Sequence, residues 1–271
     1  MLESIKKEIR DLVFGGWEKV PVRDLENLIS RGANVSKIFV KKAVKELVEA
    51  EELVYTYVYG TSFLEPSFGR PVRISKRIVL KPPNLAYQAE SGDVVITLDG
   101  GAAFGNGAHP TTCLVLEALD DALGNGSFLK RGCSKGLDVG TGTGVLAIAL
   151  ARLGVQEVLG NDIDPCAISE ARHNVSLNQL SESVTVLDTP VESLGSVYAV
   201  IVANLAYPTI KRMAPVLTAK LAEDGVLILS GFKEDMATEL AKAYGQLGLR
   251  LLGKKARRRW GCVTLAGKRL E

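Results

Sequence analysis

The feature that most constrains the fold of this chain is a turn of three alternating glycines between a strand pattern and a helix pattern. The three residues are Gly140, Gly142 and Gly144. Asp138 and Val139 end the strand pattern, and the helix pattern runs from Val145 to Leu153. A strand, a glycine turn and a helix in this order build the ligand crevice of an open α/β sheet. Because glycine permits positive φ and has no Cβ, a ligand can approach the free amides at the helix N-terminus.

The spacing of the glycines indicates which ligand. The dinucleotide fingerprint G-x-G-x-x-G would need its third glycine where Val145 stands, so the pattern here is G-x-G-x-G. An acidic residue that takes ribose hydroxyls is expected about 20 residues further on. Asp162 is our first choice for it and Asp164 the second, although both aspartates could instead cap the helix that starts near Pro165. Asp138 has no positive partner in the motif, which favours a cationic ligand over a pyrophosphate. These features predict S-adenosylmethionine as the cofactor.

Length and composition are those of a soluble protein with two domains. The chain has 271 residues, 46% hydrophobic and 24% charged, which allows a substantial core and a smaller accessory domain. The net charge of +2 commits it neither to nucleic acid nor to an anionic membrane. The first residues are charged where a signal sequence needs an apolar core, and no apolar run approaches the length of a membrane span. We expect no membrane association and a cytoplasmic location.

The cysteines and histidines do not form a metal-binding pattern. The four cysteines are widely spaced, without a C-x-x-C pair, at Cys113, Cys133, Cys166 and Cys262. His109 and His173 do not complete a ligand cluster with them. We expect reduced thiols and no metal.

Residues 1 to 69 are predicted to form a separate, small α+β domain that resembles a winged helix. Three helix patterns, the last with Ser36 as a possible cap, precede a hairpin pattern that begins at Leu53. Prolines then mark the connection to residues 70 to 271; they are Pro66, Pro71, Pro82 and Pro83.

Nucleic-acid contact through residues 1 to 69 stays open as an alternative. Basic residues recur at i, i+4 and i+8 on the third helix, as Lys37, Lys41 and Lys45. Against this, residues 1 to 69 hold ten Lys plus Arg and eleven Asp plus Glu, whereas nucleic-acid modules are usually basic. Three tyrosines share one face of the hairpin pattern, namely Tyr55, Tyr57 and Tyr59. They could stack on bases, but packing is the favoured interpretation.

Two other basic clusters are interpreted as solvated surface. The first follows a strand predicted from Val72 to Leu80 and discourages edge-to-edge pairing; it comprises Arg70, Arg73, Lys76, Arg77 and Lys81. The second is predicted to lie in the turn of the last hairpin; it comprises Lys254, Lys255, Arg257, Arg258 and Arg259.

The remainder of the chain alternates strand and helix patterns, which predicts a Rossmann-like, mostly parallel sheet of seven strands. The apolar run from Tyr198 to Ala203 is typical of a strand covered on both faces. Asn204 follows it directly, at the edge where such a sheet builds its active crevice. A glycine-rich segment from Gly100 to Thr112 could fold over a ligand on the glycine turn. In the alternative interpretation Thr111 and Thr112 cap a helix and His109 packs against Pro110.

The region from about Asp93 to the C-terminus resembles the PrmA family, methyltransferases that use S-adenosylmethionine to modify a ribosomal protein of the large-subunit stalk base. Four motifs support the resemblance: Ala103 to Thr112, Leu137 to Gly144, Asn161 to Pro165, and Val202 to Leu205. It implies a class I methyltransferase domain at residues 70 to 271. Asn106 and Thr141 depart from the residues usual in the family.

Matching positions imply the site residues. The resemblance implies that the cofactor contacts Thr112, Gly140, Asp162 and Asn204. The predicted cofactor site also includes Phe104, Asp138, Gly142 and Gly144. Family members that act on the ribosomal protein have a ferredoxin-like recruiting domain, whereas residues 1 to 69 look like a winged helix.

The resemblance implies N-methylation of a protein, on a ribosomal-protein lysine or a similar group. Direct displacement at the methyl group requires that the attacking nitrogen is aligned and that water is excluded. A lysine amine, whose ordinary pKa is about 10.4, must first lose its proton. Asn204 and His109 are the predicted catalytic residues. One alternative is a methyltransferase for RNA, DNA or glutamine amide, because Asn204 and Tyr207 are the outer residues of an Asn-Pro-Pro-Tyr signature. The other is a non-catalytic winged-helix regulator that senses S-adenosylmethionine.

Overall fold

The computed structural model describes residues 1–15, 20–58, 60–67, 69–99, 109–124 and 135–269. The chain divides into two compact units, Met1–Arg70 and Pro71–Glu271. Within the described ranges no helix is long and apolar enough to cross a membrane.

The first unit consists of three helices followed by a β-hairpin. Its elements are α1 (Leu2–Gly15), α2 (Val22–Gly32), α3 (Lys37–Glu49), β1 (Leu53–Val58) and β2 (Thr61–Pro66). The two strands pair antiparallel. Apolar residues at helical spacing form one buried core with Leu53 and Leu64 of the hairpin. The resemblance of this unit to a winged helix stays a prediction.

The surface of the first unit differs from expectation at the hairpin. Tyr55 and Tyr57 are 52% and 74% exposed, so the packing interpretation is wrong for both. Leu64, the outermost hairpin residue of the described core, lies directly opposite Tyr55, and Tyr57 nearer the tip lies opposite Ser62. Tyr59 lies outside the described residues. Ser36 precedes α3 as predicted, but its side chain makes no capping hydrogen bond.

The second unit begins with a small three-stranded sheet. Its strands are β3 (Val72–Arg73), β4 (Ile78–Lys81) and β5 (Val94–Thr97). β4 pairs antiparallel with β3 and parallel with β5. The prediction of one strand from Val72 to Leu80 is wrong, because the chain reverses at Ser75. The Ser75 hydroxyl accepts from the Ile78 amide at 3.0 Å and donates to Asp120 at 2.7 Å.

Three arginines of this basic cluster are ion-paired, which corrects their interpretation as solvated edge charges. Arg70 pairs with Glu52 at 3.2 Å. Arg73 donates to Asp93 at 2.7 Å and lowers the pKa of that carboxyl to about 2. The Arg77 Nε atom donates to Asp120 at 2.6 Å. Each guanidinium therefore has a carboxylate partner that is distant in sequence.

A seven-stranded, mostly parallel sheet forms the body of the second unit, as predicted. Its strands are β6 (Lys135–Val139), β7 (Glu157–Asn161), β8 (Val184–Leu187), β9 (Tyr198–Asn204), β10 (Leu221–Lys233), β11 (Arg250–Arg257) and β12 (Trp260–Ala266). The spatial order is β11-β12-β10-β9-β6-β7-β8. Among these described strands, β12 runs in the opposite direction to the other six. β9 is buried from Tyr198 to Ala203, as its apolar run predicts.

Helices connect these strands. They are α4 (Pro110–Leu123), α5 (Val145–Arg152), α6 (Pro165–Leu177), α7 (Tyr207–Arg212), α8 (Ala214–Lys220) and α9 (Ala237–Gln246). Single 3-10 turns occupy Val191–Ser193 and Glu234–Met236. α9 starts at Ala237, because β10 continues to Lys233 along β12.

The basic run near the C-terminus lies mostly in a strand, which corrects the prediction of a solvated turn. β11 contains Lys254, Lys255 and Arg257. Arg258 and Arg259 alone form the turn, with φ of 49° and 61°. Lys255 pairs with Asp121 at 2.7 Å and Arg257 pairs with Glu117 at 2.7 Å. These carboxylates lie on α4, so the charges fasten the edge strand to that helix.

Candidate active site

Three of the predicted site segments meet at one edge of the large sheet because their strands are neighbours. In the register, Val139 of β6 lies beside Asn161 of β7 and Ala203 of β9. The glycine turn, Asp162 and Asn204 each follow these residues directly. The strands run parallel, so their carboxyl ends place all three segments in one crevice.

The glycine turn has a backbone shape that other residues adopt only with strain. The φ angles of Gly140, Gly142 and Gly144 are 73°, 54° and 82°. The Gly140 amide donates to the Asn161 carbonyl at 2.8 Å, and the Gly144 amide donates to the Thr141 carbonyl at 2.8 Å. A Cβ on Gly140 would lie 2.4 Å from Leu205 Cδ2. The turn thus needs glycine both for conformation and for close packing.

Asp138 is a buried carboxyl with one oxygen left without a protein partner. Its Oδ2 accepts from Thr141 Oγ1 at 2.7 Å and from the Ala147 amide at 3.0 Å. Its Oδ1 has no hydrogen-bond partner, although the side chain is fully buried. Burial raises the pKa of Asp138 to about 7, against the lowering effect of those two hydrogen bonds. A cationic ligand would stabilise the ionised form, which fits the ligand charge predicted from sequence.

Asp162 and Asp164 have different partners, which separates the two candidates for the ribose contact. Asp162 Oδ2 accepts from the Gly142 amide at 2.9 Å, and its Oδ1 accepts from the Ile163 amide at 2.8 Å. Asp164 accepts from the Cys166 amide at 2.9 Å and caps α6. The capping interpretation therefore applies to Asp164, while Asp162 lies against the glycine turn.

Ile163, which stands between these aspartates, was not singled out from the sequence. Its side chain is 87% exposed although it is large and apolar. Next to Asp162 at the edge of the crevice, it can cover a flat apolar part of a ligand. The signal was an isolated apolar residue between two aspartates directly after a strand.

Asn204 is the last residue of β9 and presents an unpaired acceptor. Its Nδ2 donates a long hydrogen bond to Thr112 Oγ1 at 3.5 Å, whereas its buried Oδ1 has no partner among the described residues. The next residue is held tightly, since the Leu205 amide donates to the Ser230 carbonyl at 3.0 Å. Gly231, with φ of 99°, leaves room for this, because a Cβ there would lie 2.1 Å from the Leu205 carbonyl oxygen. Backbone contacts on both sides therefore fix Asn204.

His109 caps α4, which corrects the expectation that Thr111 or Thr112 does so. The Thr111 amide donates to His109 Nδ1 at 3.4 Å, and Thr111 Oγ1 lies 2.7 Å from the same nitrogen. Both threonines are fully buried. The His109 ring packs edge-on against Trp260, 4.9 Å between centroids, and Lys233 Nζ lies 3.8 Å from the centre of the Trp260 ring. Trp260 was not singled out from sequence, since no motif marks it.

The remaining predicted residues have these positions. Phe104, with most of the motif that begins at Ala103, lies outside the described residues. Thr112 contacts Asn204 from α4. In the described part of the chain no group of three His, Cys, Asp or Glu side chains is arranged to hold a metal ion.

Comparisons with known proteins agree with this geometry. The family model for ribosomal protein L11 methyltransferase (PrmA) matches residues 67–268. The ribosomal protein L11 methyltransferase of Geobacter sulfurreducens is 41% identical over 194 residues, which cover 72% of this chain and 62% of the relative. That of Geotalea daltonii is 38% identical over 205 residues, or 72% of this chain and 64% of the relative. The chain thus spans less than two thirds of the length of these relatives.

A solved structure of similar fold is the ribosomal protein L11 methylase from Lactobacillus delbrueckii subsp. bulgaricus. It superimposes with a TM-score of 0.64 at 28% identity and covers 73% of this chain and 99% of its own. The portion matched by the family model includes the sheet and every described site residue. The chain therefore belongs to the PrmA family of ribosomal protein L11 methyltransferases.

Proposed function

We propose that the chain is an S-adenosylmethionine-dependent methyltransferase that acts on an amine nitrogen of a protein. The observation that supports this most directly is the buried, unpaired Oδ1 of Asn204 in the crevice that contains the glycine turn. Buried polar atoms in proteins are usually hydrogen-bonded, so an unpaired one at a crevice indicates a ligand. Membership of the PrmA family supports methyl transfer as the chemistry.

Two carboxylates have the properties required to hold the cofactor. Asp162 would accept hydrogen bonds from ribose hydroxyls, since its Oδ2 already lies at the turn. Asp138 would provide negative charge through its unpaired Oδ1. When bound, S-adenosylmethionine supplies a methyl group activated by a positively charged sulfur.

Asn204 would orient the attacking nitrogen. Its Oδ1 can accept one N–H of an amine, which directs the nitrogen lone pair away from the amide and into the crevice. The Asn204 amide is not a base and cannot remove a proton, so the amine must enter the crevice in its neutral form. Transfer from water into a closed crevice favours the neutral form of an amine. His109 remains our proposed second catalytic residue. Because its Nδ1 accepts from the Thr111 amide, its Nε2 carries the hydrogen and can act only as a donor.

The acceptor we propose is a ribosomal protein in the cytoplasm. The names of the relatives specify ribosomal protein L11, which makes it the first acceptor to test. The family match begins only at residue 67, so it does not indicate how residues 1–66 contribute to binding of the acceptor. We propose that residues 1 to 69 recruit the acceptor through exposed residues such as Tyr55 and Tyr57.

The test is methyl labelling. Purified protein is incubated with S-adenosylmethionine carrying a tritiated methyl group and, separately, with ribosomal protein L11, total ribosomal protein and ribosomal RNA. We expect label in a protease-sensitive, nuclease-resistant product that mass spectrometry assigns to a side-chain amine. Label that nuclease removes would replace the proposal with nucleic-acid methylation. Binding of S-adenosylmethionine without any transfer would favour the regulator alternative.

A further inference from the structure

We infer that Asn174 is a positioning residue for cofactor binding, whose buried side-chain amide joins the glycine turn to the end of β5. The inference rests on the proposed use of S-adenosylmethionine. No motif identified from the sequence includes Asn174, and it lies on α6, outside the three strand ends that form the crevice.

Both halves of the Asn174 amide are hydrogen-bonded to backbone. Its Nδ2 donates to the Thr143 carbonyl at 3.0 Å, and its Oδ1 accepts from the Asp99 amide at 2.9 Å. The side chain is fully buried. A planar amide is needed here because one side chain must both donate to the turn and accept from the segment that follows β5. An apolar side chain of similar size would leave both backbone groups without a partner.

The bond to Thr143 fixes the shape of the turn. The Thr143 carbonyl and the Gly144 amide belong to one peptide plane, and that amide donates to the Thr141 carbonyl at 2.8 Å. The plane is thus held from both sides. α6 supports the turn a second time, since a Cβ on Gly144 would lie only 3.2 Å from the Ala171 backbone. A turn whose peptide planes are held in place before the ligand arrives binds it without an ordering cost.

The bond to Asp99 fixes the other side. Asp99 is also held through its side chain, because its Oδ2 lies 3.0 Å from His173 Nε2. Cofactor turn and strand end are therefore attached to the same stretch of α6. A shift of Asn174 would move both, so the residue acts on the ligand through Thr143 and Asp99 and not by contact.

Asn178 provides a matched control one turn further along. Its Oδ1 accepts from the Thr97 amide at 2.9 Å and its Nδ2 donates to the Thr97 carbonyl at 2.7 Å. It is buried like Asn174 and holds the same strand, but its hydrogen bonds do not reach the turn. Loss of Asn178 should therefore cost stability without changing the shape of the turn.

The experiment compares Asn174→Ala with Asn178→Ala in the full chain. Calorimetry measures the dissociation constant of S-adenosylhomocysteine well below each melting temperature, and amide hydrogen exchange is followed at Gly144 in the ligand-free protein. We expect Asn174→Ala to weaken binding about tenfold and to speed exchange at Gly144. Asn178→Ala should lower the melting temperature with binding unchanged. Asn174→Ser, which retains a hydroxyl too short to reach, replaces the first variant if that does not fold.

Equal binding by the Asn174 variant and the wild type, or equal weakening in both variants, would overturn the inference. The exchange measurement separates this from failure of the proposed function. If the wild type does not bind S-adenosylhomocysteine, the proposed cofactor is wrong. Unchanged protection at Gly144 in the Asn174 variant shows instead that the turn does not depend on Asn174.

Discussion

The two units differ in where they place side chains that lack a partner. In the described part of the chain, Met1–Arg70 exposes seven large apolar or aromatic residues, and the much longer Pro71–Glu271 exposes six. The seven are Met1, Leu28, Ile38, Phe39, Val54, Tyr55 and Tyr57. Among the described residues both units contain buried polar side-chain atoms without a partner, but those that lie at the crevice, Oδ1 of Asp138 and Oδ1 of Asn204, belong to the second unit. Exposed apolar surface is suited to contact with macromolecules, and buried unpaired acceptors are suited to small polar groups. On this difference we base the proposal that the first unit recruits the acceptor and the second carries out the chemistry.

Removal of residues 1–69 is expected to have the largest effect. Activity on the macromolecular acceptor should fall to background, because binding energy from a remote surface aligns the reacting nitrogen. Affinity for S-adenosylhomocysteine should change by no more than about threefold, since the second unit contains all the proposed cofactor residues. Calorimetry and a methyl-transfer assay check the two statements. A truncated chain that methylates normally, or one that folds but does not bind, contradicts the division.

Asn204→Ala should reduce turnover about a thousandfold, because it removes the acceptor that orients the amine. The melting temperature should stay close to that of the wild type, since Asn204 makes only one long side-chain hydrogen bond. Steady-state kinetics and thermal unfolding are measured on the same preparation. Retained activity in a folded variant would remove Asn204 from the mechanism.

Asp162→Ala should weaken cofactor binding by about 2 to 4 kcal/mol through loss of charge-assisted hydrogen bonds. Asp164→Ala is the control, because Asp164 caps α6. It should lower the free energy of unfolding by about 1 kcal/mol and affect binding much less. If calorimetry finds the two variants equally impaired in binding, the ribose assignment fails.

Asp138 should make binding depend on pH. Burial raises its pKa from the ordinary 3.8 to about 7, so its stabilising effect on the ligand-free fold is complete below pH 3.8 and disappears as pH rises through 7. A cationic ligand favours the ionised form, and binding must then release a proton. Affinity for S-adenosylmethionine should increase about tenfold from pH 5.5 to pH 7.5. Calorimetry of Asp138→Asn should show affinity independent of pH over this range; a dependence that persists assigns it to another group.

The smallest effect is expected from Tyr57→Ser, compared with Val197→Ser in the second unit. These side chains are 74% and 60% exposed, so each change should alter the free energy of unfolding by less than about 0.5 kcal/mol. Only the first should raise KM for the acceptor, by about threefold. Equal KM values would place recruitment elsewhere on the surface.

Local pattern was sufficient to predict the large sheet, the glycine turn and the crevice edge. The apolar run to Ala203 and the spacing from Gly142 to Asp162 each depend on residues close in sequence, and the structure has both as predicted. Errors arose where a distant partner decides the structure. The chain reverses at Ser75, whose hydroxyl donates to Asp120. Arg257 was expected in a turn but lies in a strand, where it donates to Glu117, 140 residues away.

The positioning asparagine was missed for the same reason. Asn174 has the composition of any polar helix residue, and its partners Asp99 and Thr143 come from two separate segments. Tyr55 and Tyr57 show a further limit, because period-two spacing indicates which face a residue is on and not how far the core extends beneath it.

Leu205 packs against two glycines, Gly140 and Gly231, and we expect these to differ in how readily they are replaced during evolution. A Cβ at Gly140 would collide with the end of the Leu205 side chain, whereas a Cβ at Gly231 would collide with the Leu205 backbone. A smaller residue at position 205 therefore relieves the first collision and leaves the second. Some strain would remain at position 140, because its φ is 73°. We expect positions 140 and 205 to covary among descendants of this chain, while position 231 stays glycine whatever its neighbours become.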